Sequence, residues 1–343
     1  EQADYVFNRI IKPHQRHVRL FWFSAAAVIV ITLMVGHLFQ RNHPTSTISP
    51  SLSDIQPGTN RATLAIEGGR TIALSEAQAG IRIGEVITYL DGSLLSDISE
   101  NVPRKTRFPE SSQTTGIIPP QRLVLTTPRG GQYQVSLADG TKVWLNSAST
   151  LTYPSRFEGS ERIVELDGEA YFEVQHESQQ KRPFKVICRD QIVEVLGTTF
   201  NISTYADEPE SKTTLVEGRV RILGPARATA DLVPGQQAIV QDNRVQVGDA
   251  DIQAATAWRI GRFNFDGKNL RQVMSELSRW YDIDVIYDGP IPEIRFFGGI
   301  HRNNRLSTVV SLLDANGIAY RLEADRKLVL SYPHKAFSNQ SHN

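Results

Sequence analysis

The chain has a single cysteine, Cys188, in 343 residues. That excludes an intramolecular disulfide framework, so whatever folds here is held by burial and hydrogen bonding. The setting of Cys188 in KVICRD reads as a half-buried strand position, not as a reactive thiol. An excess of charge of either sign is also missing, since Lys+Arg and Asp+Glu both number 37. With no basic stripe to meet phosphates, a nucleic-acid partner is not expected. Catalytic signatures are absent as well: no Gly-x-Ser-x-Gly elbow, His-Glu-x-x-His, P-loop or zinc-spaced cysteine pair occurs. The eight histidines are scattered, with His14 and His17 in a basic stub where interfacial solvation is the plain reading. The expectation is no catalytic residue, no metal site and no cofactor, and a membrane-anchored hydrolase lacks the nucleophile, base and orienter it would need.

One stretch does stand out. Leu20 to Phe39, LFWFSAAAVIVITLMVGHLF, contains no Asp, Glu, Lys or Arg, and about twenty apolar residues of helix span a bilayer core. The run is apolar all round, unlike a buried amphipathic helix, and the bulky Gly36-His37-Leu38-Phe39-Gln40 lacks a small-x-small cleavage site. A single transmembrane helix is the expectation. Arg9, Lys12, Arg16 and Arg19 precede it and only Arg41 closely follows, which puts the N-terminus in the cytoplasm and the body outside.

Around this anchor the chain divides in order. Residues 1–19 form a juxtamembrane stub; because the sequence opens on Glu1 and not on Met, a cytoplasmic part is expected upstream. Residues 40–58, rich in Ser, Thr and Pro, read as a tether. Residues 59–121 read as an accessory β segment. It has a hairpin in ATLAIEGGRTIAL that turns at Gly68-Gly69, and an aperiodic exposed loop from Ser96 to Pro120. Residues 122–253 read as strands and turns throughout. YQVSLADGTKVWL repeats the hairpin type with a turn at Asp139-Gly140, and the pattern leaves a sandwich and a solenoid-like stack of hairpins both open.

From residue 254 to 343 the period changes. Leu270, Val273, Met274, Leu277 and Tyr281 make one helical stripe, and Leu306, Val309, Val310 and Leu313 make another that Gly317 ends. With strands at RFNF, DIDVIY, Phe296 to Ile300, IAYRLE and KLVLSY, this predicts a small α+β domain of βαββαββ order, both helices on one face of a sheet. The expected fold class is therefore mainly β, sandwich or solenoid-like, plus a small α+β C-terminal domain and one N-terminal transmembrane helix.

Three features invite chemistry. Glu165, Asp167 and Glu169 resemble paired carboxylates or a calcium site, but alternation with Val164 and Leu166 favours a solvent face before a turn at Gly168. Trp280, Tyr281 and Phe297 suggest a ligand platform, yet at helical and strand spacing they read as core. Gly197-Thr198 pairs a conformationally free residue with a hydroxyl able to attack the preceding carbonyl, which makes it a candidate self-cleavage site. An ordinary turn is the plainer reading.

The run from LTTPRGGQYQVSLADGTKVWLNSASTLTYP through RIVELDGEAYFEV, PFKV, VEVLGTTFNISTYADE and TTLVEGRVRI to LVPGQQA resembles the FecR family of anti-sigma regulators, in the form common in Bacteroidetes. The stretch from WRIGRFNFDGKNLRQVMSELSRWYDIDVIY through FFGGI is similar to the domain that closes those proteins, which looks like the secretin and TonB N-terminal signalling domain. The resemblance implies a one-pass inner-membrane protein with a periplasmic body. It would sense the signalling domain of a TonB-dependent outer-membrane transducer and hold an extracytoplasmic-function sigma factor through residues upstream of Glu1. A periplasmic or intramembrane protease is an implied partner. Some members are cut at a Gly-Thr matching Gly197-Thr198. A periplasmic carbohydrate-binding or adhesion module is the alternative use of such a β body.

Overall fold

The computed structural model describes residues 55–332, apart from 68, 70, 96–119, 179 and 180. The run Leu20 to Phe39, the tether up to residue 54 and all but the last residue of the expected loop from Ser96 to Pro120 lie outside the described residues. No helix among the described residues is long and apolar enough to cross a membrane.

Residues 59–249 build two sheets. One runs, edge to edge, through Thr71–Ala73, Thr63–Ile66, Arg122–Thr127, Ser149–Pro154, the first half of Arg162–Glu173, Phe184–Ile187, Ile192–Val195, Val220–Leu223 and Thr229–Leu232. The other runs through Thr88–Tyr89, Gly80–Arg82, Gly131–Ser136, Lys142–Leu145, the second half of Arg162–Glu173, Thr199–Thr204, Ser211–Glu217, Gln236–Gln241 and Arg244–Asp249. Strict alternation produces this: in Arg122–Thr127, Gly131–Ser136 and Ser149–Pro154 every second residue is buried. The inward residues of both sheets make one core, with Leu64, Ile81, Leu125, Val135, Leu151, Phe172, Phe184, Phe200 and Ile222 at or near zero exposure. The body is thus a sandwich. From Gly131 on, strands join the sheets two at a time, alternating between them, so it also grows along its length as a stack of hairpins. The strands of residues 59–89 extend both sheets of this same sandwich, and the two hairpins read from the sequence fall in different sheets.

The expected turn at Gly168 is not there. Arg162–Glu173 is one strand that leaves the first sheet at Asp167 and enters the second at Gly168. Gly168 has φ +97, and a Cβ there would collide with Ser149, so the bend between sheets needs glycine.

At Asp251 the rule changes from strand to helix. Asp251 caps α1 (Ile252–Thr256) by accepting the Ala254 N–H at 3.0 Å. A 3-10 turn, Ala257–Ile260, follows. Helix α2 (Leu270–Tyr281) opens with a reciprocal capping box between Asn269 and Gln272, and helix α3 (Leu306–Ala315) follows later. Every residue of the two expected stripes is buried, in a second core with Ile55, Phe263, Phe265 and Leu330. Ile55 belongs to this core although it lies at the start of the described chain, and its carbonyl accepts the Leu306 N–H at 3.0 Å.

The strands around these helices form a three-stranded sheet and two short pairs in place of one sheet. Asp284–Asp288 runs parallel to Lys327–Ser331, which pairs antiparallel with Ala319–Glu323. Arg262–Asn264 pairs with Gly299–His301, and Lys268–Asn269 with Arg295–Phe296. Gly298, at φ +89, breaks the strand expected from Phe296 to Ile300, and its carbonyl accepts the Phe265 N–H at 2.8 Å. Phe297 consequently points out at 77% exposure and is not core, whereas Trp280 and Tyr281 are buried.

Candidate functional site at the joint of the two folded regions

The 3-10 turn, α2 and the turn between Gly299–His301 and α3 carry three arginines onto the outer face of the second sheet. Arg259 forms an ion pair with Glu173 at 2.7 Å, and its guanidinium lies 4.4 Å from the ring centres of both Trp144 and Tyr171. Arg279 pairs with Asp207 at 3.0 Å and Glu208 at 2.5 Å and covers the Tyr205 ring at 3.8 Å. Arg302 donates from Nη2 to Asn146 Oδ1 at 2.9 Å and from Nη1 to the Trp258 carbonyl at 3.3 Å, stacked 3.7 Å over Trp280. Trp258 completes the set, its indole N–H donating to Asn201 Oδ1 at 3.1 Å. One arginine points the other way: Arg129 of the body reaches Asp284 at 2.9 Å and Asp282 at 3.3 Å. Guanidinium groups over aromatic faces contribute about 0.5–2 kcal/mol each, more as they lose water.

Glu169 sits at the centre, half-buried. Asn146 Nδ2 donates to its Oε2 at 2.7 Å and Asn201 Nδ2 to its Oε1 at 3.0 Å. Loss of water pushes its carboxyl above the usual carboxylate range, and the two amide bonds only partly oppose this. Glu165 and Asp167, four and two residues back, are exposed on the first sheet, so the strand's passage between sheets separates the three carboxylates. Among the described residues no group of three or more His, Cys, Asp or Glu is placed to hold a metal ion. Cys188 is half-buried and its thiol is pushed well up by desolvation.

Gly197 and Thr198 lie in the turn between Ile192–Val195 and Thr199–Thr204, and neither lines the cleft at the joint. Gly197 is outside the left-handed region; glycine is needed because a Cβ would stand 2.7 Å from the His176 Cβ. Thr198 is 5% exposed. Its hydroxyl donates to the Arg219 carbonyl at 2.9 Å and its own carbonyl accepts the Val174 N–H at 3.0 Å. On the N-terminal side Arg162 Nη2 reaches the Leu196 carbonyl at 3.4 Å. The bond is therefore fixed from both flanks, and the hydroxyl must leave Arg219 before it can attack.

The joint was not read from the sequence. Arg259, Arg279 and Arg302 meet partners far from them along the chain, and no local motif marks them. Trp258 and Trp280 offered one signal, being tryptophans whose indole N–H groups require partners once buried.

Similar proteins bear on this arrangement. The family model described as FecR protein matches residues 124–221, and that described as FecR, C-terminal, matches 262–330. No curated protein matches the chain. Two crystal structures of a candidate anti-sigma factor from Parabacteroides distasonis are similar. One is 28% identical over 61% of this chain and 99% of that one, the other 29% over 62% and 99%, each with a TM-score of 0.57. The first match falls on the sandwich and the second on the α+β region, and with the likeness to the Parabacteroides protein they place the chain in the FecR family of anti-sigma factors.

Proposed function

We propose that this anti-sigma regulator is a single-pass inner-membrane protein whose body lies in the periplasm. It receives its signal from a TonB-dependent outer-membrane transducer and controls an extracytoplasmic-function sigma factor. The carrying observation is the ordered pair of FecR matches; the charge-free run Leu20 to Phe39, with its basic N-terminal flank, supports the membrane placement. The protein acts by binding, not by catalysis.

Strand Asp284–Asp288 suits the contact with the transducer. Among the described residues it pairs on one side only, with Lys327–Ser331, so its other edge offers backbone N–H and C=O groups to an incoming strand. Removal of residues 254–343 should uncouple sigma activity from inducer, read with a reporter gene; unchanged induction would refute the proposal. A proline at Ile286 should abolish transducer binding while leaving the fold of the sandwich intact, measured by pull-down and circular dichroism.

Gly197-Thr198 is proposed as a site of self-cleavage. The Thr198 hydroxyl oxygen bonds to the Gly197 carbonyl carbon, the C–N bond breaks, the amine takes the hydroxyl proton, and water splits the resulting ester. Thr198→Ala should leave one full-length band on a gel where the wild type gives two; two bands from the variant would end this part.

A further inference from the structure

Arg302 differs from the other arginines of the joint. Arg129, Arg259 and Arg279 each have a carboxylate within 3.3 Å. Arg302, at 3% exposure, has none at salt-bridge distance among the described residues, and its Nε has no acceptor there. A buried cation without a counter-ion is costly, and desolvation accordingly lowers its pKa to about 10. Its plane is nevertheless held fast by Trp280, Asn146 and the Trp258 carbonyl.

Arg302 lines a cleft of about 370 Å³ between the sandwich and the C-terminal region, within the size range of small-ligand pockets. Ser147, 1% exposed, lines the same cleft from the sandwich side, and its hydroxyl also has no partner among the described residues. The remaining charges of the wall are largely spent. Glu208 is paired with Arg279 and Glu276 with Lys268, while Lys212 is paired with Glu210, outside the wall. Asp251 caps α1 and Asp266 accepts the Gly298 N–H at 2.6 Å. Glu169 has both oxygens occupied by amides. Arg262 and Arg295, exposed at the wall, have no carboxylate at salt-bridge distance among the described residues. The cleft thus presents a buried guanidinium with no carboxylate at salt-bridge distance among the described residues, next to a buried hydroxyl.

We infer that this cleft binds a small organic carboxylate, anchored by Arg302 and met by Ser147, with Arg262 and Arg295 at its entrance. Because Asn146 and Ser147 belong to the sandwich and Arg302 to the C-terminal region, such a ligand would tie the two together, and its binding would tune how firmly they dock.

Calorimetry on the full chain in detergent, with succinate, citrate and glucuronate as probes and glucose as the neutral control, tests this. At least one carboxylate should bind saturably and glucose should not. Arg302→Met should weaken that binding at least tenfold and Ser147→Ala severalfold. Asn146→Asp, which supplies a carboxylate beside Arg302 from within, should abolish binding while the protein stays folded by circular dichroism; this variant keeps the test decisive if Arg302→Met fails to fold. Binding of no probe, equal binding of glucose and glucuronate, or undiminished binding by Asn146→Asp would each overturn the inference.

Discussion

The interior of the sandwich and the joint on its outer face are held by opposite means. Inside, apolar side chains from two sheets meet with few polar intrusions. The largest of these, Arg162, is fully buried with Asp139 at 2.8 Å and also serves the carbonyls of Gln175 and Arg182. At the joint the contacts are guanidinium groups on aromatic rings, carboxylates at the rim and amides around Glu169. The first kind of assembly depends on excluding water and is not weakened by charge screening. The second depends on charge, and it is expected to open without melting its neighbour. Under the proposed function such a difference has a use, because the part that moves must be less secure than the part that holds.

The comparison can be broken most forcefully at Arg162. Arg162→Ala leaves Asp139 and three carbonyls without their partner inside the sandwich and should cost about 3–5 kcal/mol, seen as a lower urea midpoint for the whole body. Arg279→Ala should cost less, about 2 kcal/mol, and the loss should be confined to the joint. Amide resonances of α2 should shift or broaden while those of Phe172 and Phe200 stay in place, and a joint loss of both would show that the two regions form one cooperative unit. High salt should act in the same direction as Arg279→Ala, more weakly, by screening the exposed Asp207.

The smallest effect concerns pH. Glu169 has a folded pKa above its unfolded one, so its contribution is fully present below the ordinary carboxylate range and is lost as pH rises through the higher folded value. Stability of the joint should fall over that rise in the wild type. Glu169→Gln should flatten the slope at a uniform cost of about 1–3 kcal/mol, since a second amide there meets the donor of Asn146 or Asn201. Thermal melts across a pH series distinguish a flattened slope from an unchanged one.

Much of this architecture is legible locally. The alternation in RLVLTT and GQYQVS declares strands with one buried face, and Leu270 to Tyr281 declares its stripe, because these signals repeat within a few residues. Arg162 was legible too, in phase with Val164 and Leu166, had an arginine been allowed inward. What could not be read depends on distant contacts. Gly168 looks like a turn until Ser149 is known to press against it. Phe297 looks like core until Gly298 breaks the strand. Arg302 meets Asn146 across 156 positions of sequence, a pairing no local pattern records. Gly197-Thr198 shows its chemistry in the sequence, but its restraint by Arg219 and Arg162 only in the fold.

The chain enters the described structure at Ile55, which is gripped by the C-terminal core and not by the sandwich that follows it in sequence. Mechanically, then, a pull arriving from upstream is borne first by the last part of the chain. If the C-terminal region let go, residues 55–58 would join the tether, adding about 13 Å of reach at ~3.3 Å per extended residue. New protease cuts within 55–58 when residues 254–343 are deleted would register that slack, and their absence would show that the sandwich alone holds the strap.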